Sequence, residues 1–179
     1  MDIVSRRGDW MQTFTGAPFW PLDPRPEEIA INDIAHALSL QCRYAGHCLQ
    51  FYSVAEHSVL LARHVSRDNT LWALLHDASE AYLVDVPRPV KPHLAGYRDA
   101  EAAVMAAVCT RFGLDPDMPD EVHEADNRII SDERANLSVS RRSWDFAPEP
   151  LGVRLQFWSP QQAELEFLKA FHEFGGSSR

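Results

Sequence analysis

The stretch Leu71–Glu80 most constrains the fold, because it is an almost unbroken apolar run with His76 and Asp77 side by side in its middle. Such a run predicts a buried helix, with Asp68 or Asn69 as its N-cap. Burying an unpaired carboxylate costs several kcal/mol, so buried acids normally have a partner or a metal ion. A hydrogen-bonded core pair and a metal site are both compatible with this dipeptide alone.

The size and composition of the chain are those of a globular protein. Its 179 residues are enough for one domain with a sizeable core, and 45% of them are hydrophobic and 24% charged. We predict a single domain over residues 1–179. No apolar run approaches the ~20 residues of a membrane span, and residues 1–7 lack the apolar core of a signal peptide. Three cysteines without metal-finger spacing predict reduced thiols in a cytoplasmic protein, with Cys42 and Cys109 in helix cores.

The charge balance bears on the partners of the protein. The formal net charge is −9, and basic residues cluster only at Arg6-Arg7 and Arg141-Arg142. Proteins that hold a nucleic acid polymer usually have a basic patch, so we predict no such partner. A small phosphorylated ligand remains compatible, because two or three placed cations and a metal ion are enough to bind one.

Helical periodicity from Asn32 onward predicts an all-α domain, preceded by an irregular aromatic segment at Thr13–Pro26 that could hold a short hairpin. Capping signals mark the starts at Ser53, which precedes Glu56 with capping-box spacing, and at Ser159, which precedes a proline. The three prolines of residues 85–92 exclude a regular helix there, and residues 141–158 should form loop or short β structure. The predicted helices span roughly 32–44, 53–65, 69–83, 94–112, 119–137 and 159–175.

Two more polar residues fall on predicted apolar helix faces. His57 lies at helical spacing from Val54 and Leu60, and Asp126 lies between Val122 and two isoleucines. Taken singly, a histidine or aspartate at such a position more often has a structural role than a metal-binding one. Together with the His-Asp dipeptide they provide two imidazoles and two carboxylates on inward faces, which suits zinc, cobalt, manganese or iron, with magnesium also considered.

His57, the adjacent His76-Asp77 and the distant Asp126 resemble the H…HD…D pattern of the HD-domain metal-dependent phosphohydrolases. Residues 76–91, HDASEAYLVDVPRPVK, resemble the 5'-deoxynucleotidase branch and, equally, the related phage dATP triphosphohydrolases. Residues 35–44 and 53–58 are also similar to that branch, and the resemblance covers residues 13–137. It implies an HD-domain helical bundle that hydrolyses deoxynucleotides, releasing deoxynucleoside and either triphosphate or phosphate.

The resemblance also implies a role for each matching residue. Glu80 would transfer a proton, and Asp85 would position the attacking water or contact the sugar 3'-hydroxyl. A solvated acid at a helix end is the structural alternative for Glu80. The implied ligands of a single divalent metal ion are His57, His76, Asp77 and Asp126.

Four further residues match substrate contacts of the family. Arg43 and Tyr44 would lie over the nucleotide, Lys91 would contact phosphate, and Pro89 would wall the base pocket. The structural alternatives are a charge at a helix C-terminus for Arg43 and an ordinary surface position for Lys91. The loop Tyr44–Phe51, with His47 and Cys48, and the segment Thr13–Pro26 would set substrate selectivity.

The other histidines are not part of the ligand pattern. His36 should pack near the site, and His123 could reach a second ion, although we predict one metal. His47, His64, His93 and His172 should lie on the surface or in loops.

The resemblance implies a homo-oligomer, either a dimer or a hexamer. The alternatives are a hydrolase of cyclic nucleotides or guanosine tetraphosphate, and a non-catalytic nucleotide-binding module.

Overall fold

Seven α-helices and one short hairpin make up the regular structure of residues 6–145 and 147–177, the parts of the chain that the computed structural model describes. The hairpin pairs Met11–Gln12 (β1) with Pro18–Phe19 (β2) in antiparallel register. The helices are α1 (Ile31–Leu40), α2 (Val54–Ala62), α3 (Thr70–Leu75), α4 (Glu80–Leu83), α5 (Tyr97–Phe112), α6 (Asp120–Glu133) and α7 (Pro160–Glu173). Short 3-10 turns lie at Pro26–Glu28, Arg43–Gly46, Arg67–Asn69, Lys91–His93 and Arg134–Asn136. The predicted all-α class and the short hairpin are confirmed.

Helix α2 lies at the centre of the bundle. It contacts α1, α3, α6 and α7, and every one of its nine residues is buried. A helix that is apolar around most of its circumference is stable only when other helices cover it. His57 is carried on this central helix, and its side chain is fully shielded from solvent.

Local signals place the ends of several helices. The Ser53 hydroxyl accepts the N–H of Glu56 at 3.0 Å, and the Ser159 hydroxyl caps α7 in the same way. Gly113 ends α5 with a φ of 69°, a conformation that glycine adopts without steric cost. These predicted boundaries are confirmed, whereas α5 begins at Tyr97 and not near residue 94, and α6 ends at Glu133 before a 3-10 turn.

The Glu56 side chain does not complete the capping box. Its carboxylate is buried and accepts three backbone N–H groups, those of Gln156, Phe157 and Trp158, at 2.6, 3.0 and 2.8 Å. A buried carboxylate needs such donors, and the irregular chain before α7, in which Phe157 has a φ of 55°, has no ladder of its own to satisfy these amides. Glu56 therefore fastens the carboxyl-terminal segment to the central helix.

The predicted first helix is too long at its carboxyl end. Helix α1 stops at Leu40, because the chain then pairs with the residues before α2: Cys42 forms a β-bridge with Ser53, and Arg43 donates to the carbonyl of Tyr52 at 2.9 Å. Cys42 is thus half-buried outside any helix, and its predicted helix-core position was wrong. The corresponding prediction for Cys109, buried in α5, is confirmed.

The predicted helix over residues 69–83 is divided in two. Between α3 and α4 the N–H groups of Ala78, Glu80 and Ala81 bond to the carbonyl three residues earlier, at 2.9 to 3.2 Å, as in a 3-10 turn. Nearby, the Ala73 carbonyl accepts the Nδ1 hydrogen of His76 at 2.7 Å. One continuous helix was therefore a wrong prediction, and the tight turn holds His76 and the residue after it.

None of the helices in the described residues is long and apolar enough to cross a membrane. The predicted lack of a signal peptide concerns residues 1–7, of which 1–5 lie outside the described part of the chain.

Candidate metal centre

Four predicted ligands from three parts of the chain come together. His57 projects from α2, His76 and Asp77 from the turn between α3 and α4, and Asp126 from α6. The Nε2 atoms of the two histidines are 3.3 Å apart, and Asp126 Oδ1 lies 3.3 and 3.7 Å from them. Asp77 Oδ2 lies 3.2 Å from His76 Nε2 and 3.7 Å from His57 Nε2. His57, His76 and Asp126 form a cluster, each with a ligand atom within 4.8 Å of the others, that could hold a metal ion.

Hydrogen bonds at the opposite nitrogens define the tautomers of both rings. The Nδ1 atom of His76 donates to the Ala73 carbonyl, and that of His57 donates to Glu133 Oε1 at 2.7 Å. Burial raises the pKa of Glu133, but the charge of Arg43 and the hydrogen bonds that the carboxylate accepts from His57 and Tyr44 outweigh it and bring the pKa to about 2, so this carboxylate is ionised. When both rings are neutral, their Nε2 lone pairs face each other, so a cation between them, either a metal ion or a proton, stabilises the arrangement.

The ligand spacing also fits a metal ion. Zn–N bonds of about 2.0–2.1 Å in tetrahedral geometry place ligand atoms about 3.3–3.4 Å apart, close to the separations found here. Metal-binding histidines almost always donate their other N–H to a carboxylate or a backbone carbonyl, as both rings do. The histidine side chains are 0% and 2% exposed, whereas those of Asp77 and Asp126 are 20% and 27% exposed. The cluster is thus closed on its imidazole side and open on its carboxylate side.

A cavity of about 970 Å³ opens on that carboxylate side, with Asp77 and Asp126 in its wall. All the residues predicted to act on or bind substrate also line it: Glu80, Asp85, Arg43, Tyr44, Lys91 and Pro89. The lining does not include His47, Cys48 or any residue of Thr13–Pro26, so the structure does not bring these to the pocket.

Glu80 begins α4 and is only 5% exposed. Its Oε1 atom lies 3.4 Å from the Lys91 ammonium, and its buried Oε2 atom has no hydrogen-bond partner among the described residues. Burial, reinforced by the charges of Asp77 and Asp85, raises the pKa of Glu80 to about 9. Burial also raises the pKa of Asp85, although Arg43 opposes this. A carboxyl group that keeps its proton at neutral pH thus lies beside the candidate metal ligands.

Lys91 is held between two carboxylates. Its Nζ atom is 2.8 Å from Glu101 Oε1 and 3.4 Å from Glu80, and it lies 5.8 Å from the ring centroid of Tyr97. Burial lowers the pKa of Lys91, but the hydrogen bond to Glu101 and the charge of that carboxylate raise it by more. The ammonium is therefore ionised at the cavity wall, and its contact with phosphate stays a prediction.

Sequence reasoning missed Glu133, which connects the metal cluster to the predicted substrate residues. Glu133 is fully buried. Its Oε2 atom accepts a hydrogen bond from the Tyr44 hydroxyl at 2.5 Å and lies 3.4 Å from Arg43 Nη2. Its Oε1 atom accepts the hydrogen bond from His57 Nδ1. Arg43 also reaches Asp77 at 3.5 Å. The available signal was spacing, because Glu133 lies seven residues, or two helical turns, after Asp126 on the same face of α6.

Sequence reasoning also missed part of the cavity wall. Ser140, Arg142 and Trp144 come from the irregular chain after α6, where no periodicity singles out a residue, and Arg88 comes from the proline-rich loop. The side chains of Arg88 and Arg142 have no ion pair within the described residues, and they bring the cations on the wall to four, with Arg43 and Lys91.

The other histidines lie outside the metal cluster. His36 stacks on Phe14 with 3.6 Å between ring centroids and bonds to Glu164, and His123 is exposed and bonds to Asn127. The single metal ion stays a prediction. As predicted, the remaining histidines are exposed: His47, His64, His93 and His172.

Comparison with known proteins finds two relatives that align with most of the chain. The uncharacterized protein YfdR of Escherichia coli (strain K12) is 39% identical over 135 residues, which are 75% of this chain and 76% of that protein. The uncharacterized protein RCAP_rcc00048 of Rhodobacter capsulatus is 32% identical over 184 aligned positions, which cover 91% of this chain and 94% of that protein. No family model matches the chain.

Proposed function

This chain belongs to the family that includes YfdR and RCAP_rcc00048, and we propose that it is a metal-dependent phosphohydrolase of the HD type that acts on deoxynucleotides. One observation carries the proposal. Two buried imidazoles, each anchored through Nδ1, face each other through Nε2 at 3.3 Å, with Asp77 and Asp126 beside them. A divalent ion is the simplest cation to suit this donor set.

The side chains that line the cavity favour a phosphorylated compound as the substrate. Four cationic side chains line it although the net charge of the protein is −9, and those of Arg88 and Arg142 have no acidic partner among the described residues. A guanidinium pairs two N–H groups with phosphate oxygens, and the Tyr44 and Trp144 rings on the same wall offer faces to a base. The volume of about 970 Å³ is at the upper end of the range for small-molecule sites, enough for a nucleotide.

The proposed reaction is hydrolysis at the α-phosphorus. When bound, a divalent ion lowers the pKa of a water molecule and polarises a phosphoryl oxygen. Water attacks phosphorus and the bond to the 5' oxygen breaks, while Glu80 gives its proton to the leaving oxygen. The proton that the attacking water loses then returns to Glu80, which restores its protonated form. Asp85 orients the water or the sugar 3'-hydroxyl, and Arg43 and Lys91 offset charge on the phosphate. The products are deoxynucleoside and either triphosphate or phosphate.

The test is a substrate and metal screen. Chelator-treated protein is supplied with cobalt, manganese, zinc or magnesium and with each deoxynucleoside mono- and triphosphate, a cyclic nucleotide and guanosine tetraphosphate, and the products are separated by chromatography. We expect turnover of a deoxynucleotide and a loss of about 10²–10⁴-fold in the Glu80→Gln variant. Glu124→Gln, an exposed change on α6, is the matched control.

Two outcomes contradict the proposal in different ways. Metal and nucleotide binding without turnover, with Glu80→Gln indistinguishable from the parent, would make the protein a binding module. Turnover of the cyclic nucleotide or the tetraphosphate alone would move it to another phosphohydrolase activity. We also propose a dimer or a hexamer, which sedimentation of the same sample measures.

A further inference from the structure

The strongest feature outside the metal cluster is the link between Glu80 and Asp85, the two acids that are proposed to act on the substrate and its water. Helix α4 begins with Glu80, and Asp85 follows two residues after the helix ends. Both side chains line the same cavity, although an extended chain leaving α4 would carry Asp85 away from Glu80. The backbone must therefore turn sharply between them.

Val84 makes that turn, in a conformation unusual for its side chain. Its φ is 70° and its ψ is 147°, whereas a β-branched residue strongly disfavours any positive φ. The side chain is 61% exposed, so packing contributes little to holding it. Residues kept in disfavoured conformations persist only where their surroundings determine them, and such positions cluster at functional sites.

Hydrogen bonds hold the turn in place of packing. The Val84 N–H donates to the Glu80 carbonyl at 2.9 Å, and the Tyr97 hydroxyl donates to the Val84 carbonyl at 2.8 Å. The Gln41 carboxamide spans both ends of the turn: its Nε2 donates to the Glu80 carbonyl at 2.9 Å, and its Oε1 accepts the Asp85 N–H at 3.0 Å.

Gln41 is itself firmly placed. It follows the last residue of α1, and its carbonyl accepts the N–H of Val54, the first residue of α2. Since one partner only accepts and the other only donates, the two ends of its amide cannot be exchanged without losing both bonds. The amide therefore ties the Glu80–Asp85 turn to the start of α2, the helix that carries His57.

We propose that Gln41 is a positioning residue, whose carboxamide holds the strained Val84 turn so that Glu80 and Asp85 face the same cavity. Gln41 is not in the lining of that cavity. Its role in catalysis rests on the proposed function, whereas its role in holding the turn does not. Without the carboxamide, Val84 relaxes toward negative φ and Asp85 moves away from Glu80.

The experiment compares Gln41→Met, which has a side chain of similar length without amide groups, with a matched control, Gln162→Met. Gln162 is an exposed glutamine on α7 whose side chain bonds to Glu166. We expect the kcat for deoxynucleotide hydrolysis to fall about 100-fold in Gln41→Met, which is the effect of misplacing a reacting group by about 1 Å. KM and the Co²⁺ dissociation constant should stay within about twofold of the parent protein, because the metal ligands are untouched. Gln162→Met should change none of these.

A rescue distinguishes positioning from general stabilisation. Val84→Gly removes the conformational strain, since glycine adopts positive φ freely, so Gln41→Met/Val84→Gly should recover about tenfold in kcat over Gln41→Met alone. A loss of thermal stability with unchanged kcat, or a kcat loss that the glycine does not recover, overturns the proposal.

A second readout keeps the inference separate from the proposed function. The Asp85 amide bonds to Gln41, so its hydrogen exchange should accelerate about tenfold or more in Gln41→Met and not in Gln162→Met. If the parent protein hydrolyses nothing, the proposed function fails, and exchange at Asp85 still decides the role of Gln41 in the turn. Unchanged exchange at Asp85 overturns that role whatever the activity.

Discussion

Replacing Glu133 by glutamine tests how the metal cluster is anchored. The carboxylate is fully buried and accepts from His57 Nδ1 at 2.7 Å and from the Tyr44 hydroxyl at 2.5 Å, with Arg43 Nε 3.2 Å away. The glutamine has nearly the same shape, but it carries no charge and offers one oxygen where the carboxylate offers two. At least one of the three donors then loses its acceptor, and the Arg43 charge keeps Asp77, at 3.5 Å.

Two magnitudes follow from this geometry. Removing one partner of a buried ion pair costs about 3–5 kcal/mol, and the remaining contact with Asp77 places Glu133→Gln near the lower end, at about 3 kcal/mol. Losing the hydrogen-bond partner of a metal-bound histidine typically weakens metal affinity by about 10–100-fold. The free energy of unfolding is measured by urea denaturation of the metal-free protein, and the Co²⁺ dissociation constant by calorimetry.

The matched control is Glu124→Gln, the same change on the same helix at a side chain that is 71% exposed and paired only with Arg128. It should alter stability by no more than about 0.5 kcal/mol. A folded Glu133→Gln protein with the metal affinity and stability of the parent would refute the view that Glu133 orients His57. If Glu133→Gln does not fold, Tyr44→Phe removes one donor alone and should leave the Co²⁺ affinity unchanged.

Three further predictions follow from other contacts. His76→Ala removes a candidate metal ligand and should weaken Co²⁺ binding by more than about 100-fold, whereas His64→Ala, at an exposed position, should leave it unchanged. Equal affinities of the two variants in calorimetry would contradict a metal site at this cluster. Burial raises the pKa of Glu80 from 4.5 to about 9, so the folded chain retains a proton there that the unfolded chain releases, and the stability of metal-free protein falls as pH rises between these values. Glu80→Gln should flatten that slope in urea titrations at successive pH values; an unchanged slope would refute the shift. Glu56→Gln leaves at least one of the backbone N–H groups of residues 156–158 without its acceptor at the buried position of Glu56 and should cost about 1–3 kcal/mol in the same assay. A cost below about 0.5 kcal/mol would show that these hydrogen bonds are dispensable.

Local signals were sufficient for the helical class and for several helix ends. Ser53 and Ser159 act as caps and Gly113 as a stop because each acts on backbone groups within four residues of itself in the chain. Apolar periodicity also found His57 and Asp126 on inward faces, since a helix face is a local property of the chain. Periodicity alone did not decide whether these two residues bind a metal ion or have a structural role.

One error arose where distant parts of the chain determine the local conformation, and a second arose within a tight turn. Helix α1 stops at Leu40 because residues 41–43 pair with the strand-like chain before α2, and no residue near Leu40 signals that partner. The helix from Thr70 is interrupted after Leu75, where the His76 side chain bonds to a backbone carbonyl in a tight turn. This second interruption is local in the chain, because the bond joins residues only three positions apart, and apolar periodicity does not register it.

The sequence by itself determined the candidate metal ligands, because histidine and aspartate on apolar faces are costly to bury and so stand out wherever they occur. Only the tertiary structure decided how they are held. Glu133, Gln41 and the left-handed Val84 have ordinary surroundings in the chain, and their roles arise from hydrogen bonds to residues as far as 90 positions away. A hydrogen bond requires its two atoms to meet within about 3 Å, and that proximity is created by the packing of α1, α2, α4 and α6, which residue patterns along the chain do not encode.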